Sequence, residues 1–180
     1  MNYQDDEWVG PRIRMADVKC HCADPLCSGK RLDPMIRPRT VLMLRLAGLL
    51  LRDYDFMVTS CMRCPEHNAS VGGASDSAHV HNCAIDIVSD RWQDVALDAE
   101  GQACWSAIIV DPEKKLVHLD LHPSDRVTRG CVINGRYQTV PWNRRHGSPL
   151  SKIVEWNLDE TCEVPGYVNA ALQRAVIDPA

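Results

Sequence analysis

Apolar positions recur along this chain with two different periods, and the changes of period mark its elements. From Thr40 to about Arg52, leucines at 42, 46, 49 and 50 fall at helical spacing, which predicts a helix with one leucine-rich face. Phe56 to Ser60 predicts a short strand around the β-branched Val58 and Thr59. Ala84 to Val88 is a nearly continuous apolar run, as expected of a buried strand, with Asp86 at its centre. A helix is expected from about Arg91 to Ala99, capped by Ser89 or Asp90. Ala107 to Val110 and Leu116 to Leu121 form a hairpin signal across the five-residue turn Asp111 to Lys115. Cys131 to Val140 repeats that signal about Asn134-Gly135, a strong hairpin dipeptide.

Other segments carry no clear period. Residues 1 to about 36 read as irregular, punctuated by Pro11, Pro25 and Pro34. Residues 66 to 78, with Gly72 and Gly73, read as a loop, and the tail beyond Pro141 holds one expected helix, Tyr167 to Val176. Helices and strands mix without regular βαβ alternation, so the expected class is α+β, a small mixed or antiparallel sheet flanked by helices. Three parts follow: an irregular segment 1–36, a main domain 37–140 and an extension 141–180. The extension, with Trp142, Trp156 and Tyr167, is expected to pack on the core or to serve for docking.

Composition narrows the class. Hydrophobic residues at 45 % and charged residues at 24 % are those of a globular chain. A net charge of −4 argues against nucleic acid as partner, although Arg144-Arg145-His146 is a local basic patch. Met1 to Trp8 is polar and acidic, unlike a secretion signal, and the apolar stretch Val41 to Leu51 is too short to span a bilayer. The expectation is a product made in the cytoplasm without a signal peptide and without a membrane span.

Nine cysteines is an odd number, which does not suit a fully paired disulfide framework. Cys20, His21, Cys22 and Cys27 cluster in CHCADPLC, and Cys61 and Cys64 form a C-x-x-C. Thiolates drawn from these two groups, with Cys20, Cys22 and Cys27 at their heart, are candidates for a structural zinc ion. The alternative is a set of reduced, partly buried thiols. A thioredoxin-like role for Cys61-Met62-Arg63-Cys64 is not expected, since no helix start is read after it.

Two further segments carry the chemistry. Ser77-Ala78-His79 runs on to Asp86, and Val117-His118-Leu119-Asp120 lies downstream. Together they supply two histidines and a carboxylate, the ligand set of a zinc site in which water fills the fourth position. Seven residues separate His79 from Asp86, about 23 Å of strand or about 10.5 Å of helix. Convergence on one ion therefore requires a bend, and Asn82 suits it because Asn tolerates the left-handed region. A single histidine is commonly a surface or packing residue. A carboxylate inside Ala84-Ile85-Asp86-Ile87-Val88 is harder to dismiss, because facing the core is costly without a partner.

The order of motifs is more specific than any one of them. Thr59-Ser60-Cys61-Met62-Arg63 leads to Asn68 and to Val71-Gly72-Gly73-Ala74. Ser77-Ala78-His79, Ala84-Ile85-Asp86 and Val117-His118-Leu119-Asp120 follow. Over about residues 38 to 122 this resembles the peptidase M15 family, and within it the M15A C-terminal type found in bacterial and phage cell-wall enzymes.

The resemblance implies the small α+β fold shared by D-Ala-D-Ala carboxypeptidases and the hedgehog signalling domain. It implies a catalytic zinc ion on His79, Asp86 and His118, substrate contact by Arg63, and support of the site by Ser77. The implied activity is hydrolysis of peptidoglycan stem peptides next to a D-amino acid, by a phage lysin or a wall hydrolase carried in a virion beside other virion proteins. The other reading is a non-catalytic tail or virion protein retaining the metal site. Cys61, Met62 and Asn82 replace the family's Gly, Tyr and Gly, and Lys115 stands where many relatives have an acid. The expected general base is therefore Asp120 or Glu113, with Asp120 preferred because it shares a strand face with His118.

Overall fold

The structure, a computed structural model, describes residues 8–23, 27, 38–122 and 128–139. Pro25, Pro34, the patch Arg144-Arg145-His146, the helix expected over Tyr167 to Val176 and the tail aromatics lie outside the described residues.

The described part of the segment read as irregular is ordered. β1 (Trp8–Gly10) pairs with β2 (Ile13–Arg14), and the four-residue helix α1 (Met15–Val18) follows. Ile13, Met15 and Val18 are buried and join the main core. They are divided between a two-residue strand and a four-residue helix, each too short to show a period, which is why the pattern missed them. Arg12, at positive φ, sends Nη1 to the carbonyls of Leu51, Arg52 and Tyr54 at 3.0, 3.0 and 2.6 Å, satisfying the open C-terminal end of the helix above it.

That helix is α2 (Pro38–Leu50), continued by a 3₁₀ turn over Leu51–Asp53. Its buried face only partly matches the leucine stripe expected: Leu50 is buried and Leu46 packs half-buried against the core, but Leu42 and Leu49 face out. Met43, Leu44, Ala47 and Leu50 point inward, while Leu42 and Leu49 are 50 % and 58 % exposed. Both stripes have helical spacing, and the neighbours decide between them. At Gly48 the Pro11 ring packs so closely that a Cβ would collide with it, which turns this side of the helix towards the N-terminal hairpin.

The chain continues through β3 (Met57–Ser60), α3 (Pro65–Ser70), β4 (Ala84–Val88), α4 (Trp92–Gly101), β5 (Ala107–Asp111), β6 (Leu116–Asp120), β7 (Thr128–Ile133) and β8 (Arg136–Thr139). The helix α3 corrects the reading of residues 66 to 78 as loop throughout, and of the C-x-x-C as lacking a helix start. Pro65 occupies the first turn, where its missing N–H costs nothing, and Cys64 caps it by accepting the His67 amide at 3.2 Å. The N-cap of α4 is Arg91, without a side-chain cap bond, which corrects the expected cap at Ser89 or Asp90; Ser89 Oγ accepts the Arg91 amide at 3.2 Å just before it.

The fold is α+β: a six-stranded mixed sheet in the order β3-β4-β6-β5-β7-β8, beside the small β1-β2 sheet. All neighbours are antiparallel except β5 and β7. Both expected hairpins are present, β5-β6 across Asp111 to Lys115 and β7-β8 across Asn134-Gly135, whose φ angles of 51° and 70° fit a tight primed turn. Ile85, Ile87, Ile108, Val110, Val117 and Leu119 line one face and are buried with Trp92, Val95, Ala96 and Ala99 of α4. The alternation of strand side chains then sets Asp86, His118 and Asp120 on the opposite face.

Candidate metal centre

Two central strands build most of the site. β4 and β6 are neighbours, and Asp86 lies directly opposite His118 in their ladder. Strand pairing thus joins two residues 32 positions apart, with His118 Nδ1 2.7 Å from Asp86 Oδ1.

His79 arrives from a compact turn ahead of β4. The Ser77 hydroxyl accepts the His79 amide at 3.3 Å, and the Asn82 amide donates to the His79 carbonyl at 3.2 Å. Asn82 sits at φ 56°, so the expected bend is where the sequence placed it. Thr40 Oγ1 donates to the Asn82 carbonyl at 2.6 Å and ties the bend to α2. The chain reverses, and His79 Nε2 comes to 3.2 Å from Asp86 Oδ2. The two imidazole rings stand 5.1 Å apart between centroids. The ligand atoms of His79, Asp86 and His118 all lie within 4.8 Å of one another.

The hydrogen bonds around this triad fix which ring nitrogens face inward. The Cys61 carbonyl can only accept, so His79 Nδ1, 2.6 Å away, carries a hydrogen, and Nε2 is the atom turned towards Asp86. His118 is flanked by two carboxylates, with Nδ1 on Asp86 and Nε2 at 3.2 Å from Asp120 Oδ2. Burial works against a charged His118, but the hydrogen bonds to Asp120 and Asp86 outweigh it and lift its pKa to about 9. Burial likewise opposes ionisation of Asp86, yet hydrogen bonds from His118 and His79 hold its carboxyl well below the usual range. Asp120 is shifted in the same direction, with burial opposed by its bond to His118.

This donor set fits a divalent cation. Two imidazole nitrogens and a carboxylate lie close enough together to share one ion. Ligands about 2.1 Å from a tetrahedral zinc ion lie about 3.4 Å from one another, close to the 3.2 Å separation of His79 Nε2 and Asp86 Oδ2. A nitrogen of each histidine, Nδ1 of His79 and Nε2 of His118, donates to an oxygen behind it, the usual way of orienting an imidazole ligand.

Arg63 borders the triad. Its Nη2 donates to Asp86 Oδ2 at 2.9 Å, its Nε to Ser60 Oγ at 2.7 Å, and its backbone amide to the His79 carbonyl at 3.1 Å. Asp120 has both oxygens engaged, Oδ2 by His118 and Oδ1 by the His122 amide at 3.0 Å. Glu113 lies in the exposed β5-β6 turn and makes no hydrogen bond or ion pair with the triad. Lys115 also belongs to that turn, at φ 52°, and its Nζ pairs with Asp90 at 2.7 Å. Asn68, named in the motif, is buried and donates to the Ala74 carbonyl at 2.7 Å, with Gly73 so close that a Cβ there would collide with the Asn68 amide.

Sequence reading missed two features. The Cys61 contact is made by a backbone oxygen, which leaves no residue-type signal. At the rim, Asp76 Oδ1 meets His81 Nε2 at 2.9 Å and His122 Nε2 at 3.6 Å. The alternation His118, Asp120, His122 could have placed His122 there, but nothing in the spacing announces Asp76.

No helix among the described residues is long and apolar enough to cross a membrane. No curated protein and no solved structure matches the chain. Residues 36–120 match the sequence model of the family described as Peptidase M15, a stretch that contains all three members of the triad together with Arg63 and Asp120.

Proposed function

We propose, from the match of residues 36–120 to the peptidase M15 family, that this chain is a zinc peptidase that hydrolyses peptidoglycan stem peptides next to a D-amino acid. The observation that carries the reading is the convergence of His79 Nε2, Asp86 and His118 Nδ1. These three residues would hold the ion. When bound, zinc supplies Lewis acidity and a lowered pKa for water at this site.

The remaining work falls to the chain's own groups. Arg63, anchored through Nε and its backbone amide, orients a substrate carbonyl or carboxylate with its guanidinium. Asp120 is the proposed proton carrier; its Oδ2 would exchange its bond to His118 Nε2 for a proton and pass that proton to the leaving amine. Asp120 is preferred to Glu113 because it is buried beside the triad, whereas Glu113 lies in the exposed β5-β6 turn. Ser77 and Cys61 keep His79 in place through their backbone and hydroxyl contacts. Within this reading the enzyme acts on the bacterial wall after release as a lysin, or travels in a virion.

Purified full-length protein, incubated with purified peptidoglycan with and without a chelator, tests the proposal. Mass analysis should find fragments cut beside a D-residue, lost with chelator and restored by zinc. Intact zinc binding with no fragments would instead favour a non-catalytic virion component.

A further inference from the structure

A second cluster lies at the junction between the N-terminal segment and the loop after β3. Cys20, Cys22, Cys27 and Cys64 bring their sulfurs within 4.8 Å of one another. Cys20, Cys27 and Cys64 are buried and form a small core of their own, with Cys22 packed against it. All four are free thiols. The Cys22 and Cys64 sulfurs are 3.9 Å apart, well beyond the roughly 2.05 Å of a disulfide. Four sulfurs at about 2.3 Å from a tetrahedral ion would lie about 3.8 Å from each other.

The surroundings suit thiolates. The Cys64 amide donates to Cys20 Sγ at 3.4 Å, and the His67 amide to Cys64 Sγ at 3.2 Å. His67 Nδ1 lies 3.3 Å from Cys20 Sγ. Such N–H contacts draw charge from sulfur, and four thiols, three of them buried, otherwise have little reason to gather with their sulfurs turned inward. Cys61, the other half of the C-x-x-C, takes no part, so the pair is split between two centres.

We propose that Cys20, Cys22, Cys27 and Cys64 bind a second, structural zinc ion that fastens the N-terminal segment to the loop bearing Arg63. The site is closed by four protein ligands, unlike the triad, and carries no substrate. A Cys₄ set selects a thiophilic tetrahedral ion over calcium or magnesium. Cys64 directly follows Arg63, and the Met62 amide donates to the Val18 carbonyl at 3.0 Å, so this ion would stiffen the strip of chain that presents the guanidinium.

Metal analysis of the full chain decides the matter independently of peptidase activity. The wild type should carry about two zinc equivalents, and His79→Ala/His118→Ala about one. Cobalt-loaded protein should show an intense thiolate-to-cobalt charge-transfer band that persists in the histidine variant and disappears in Cys20→Ser/Cys27→Ser. Alkylation of the zinc-loaded wild type with mass mapping provides a second measure that does not depend on the folding of the cysteine variant. Cys104, which is exposed, should react at once, and the four clustered cysteines only after chelator is added. A wild type without the charge-transfer band, or clustered cysteines alkylated as fast as Cys104, would overturn the site. Iron in place of zinc would overturn its metal.

Discussion

Cys61 and Cys64, two residues of one C-x-x-C, face different donor clusters. The Cys61 carbonyl holds His79 Nδ1 at 2.6 Å, while the Cys64 sulfur lies 3.9 Å from Cys22. Arg63 stands between them with its guanidinium on Asp86. Residues 61 to 64 therefore form a short bridge between the triad and the cysteine cluster, and a change in this bridge reaches both.

The bend at Asn82 makes a sharp prediction. A φ of 56° is strained for most side chains, by roughly 1–2 kcal/mol for residues that rarely enter this region. Asn82→Gly should keep or raise the urea midpoint. Asn82→Val should lower stability by about that amount and weaken metal binding, because His79 then loses its place. Equal midpoints for the two variants would refute the assignment of strain.

Acidity at His118 predicts how the metal-free protein responds to pH. Its folded pKa of about 9 lies above the roughly 6.5 of an unfolded histidine. The resulting stabilisation is complete below the unfolded value and disappears as pH rises through the folded one. Thermal unfolding of chelator-treated protein should show a falling melting temperature between about pH 6.5 and 9. His118→Gln should flatten that slope.

Asp120→Asn separates two roles. An amide oxygen can still accept from His118 Nε2, so the ring should stay oriented and metal content nearly unchanged. Proton transfer is lost, and kcat should fall by about 10²–10⁴-fold with little change in KM. A variant whose kcat falls only in proportion to its lost zinc, and recovers when zinc is resupplied, would make Asp120 a positioning residue for His118.

Gly73 has no room for a side chain. The amide of Asn68 blocks the Cβ position and is itself tied to the Ala74 carbonyl at 2.7 Å. Gly73→Ala should cost about 1–3 kcal/mol by overpacking, read from urea denaturation. Asn68→Ala in the same chain should recover part of that loss.

Much of this was legible in the sequence where it rests on local chemistry. Asn134-Gly135, the apolar run about Asp86 and the bend at Asn82 each carry their signal within a few residues. The buried face of α2 was legible only in part: of the expected leucines 42, 46, 49 and 50, Leu50 is buried, while Met43, Leu44 and Ala47 complete the face because packing against Pro11 and Gly10 turns the helix that way. The same holds for Ile13, Met15 and Val18, whose burial depends on partners far along the chain. At the site, residue types named the triad and the two cysteine groups, but the hydrogen bond from His79 to a backbone carbonyl and the choice of Cys64 over Cys61 depend on tertiary placement.

The Asp86–His118 pairing lies on interior strands, with β3 outside β4 and β5 beyond β6. Fraying begins at edges, so these two residues cannot part while the sheet is intact. Their amide hydrogens should be among the slowest to exchange with solvent, because only opening of the whole sheet exposes them.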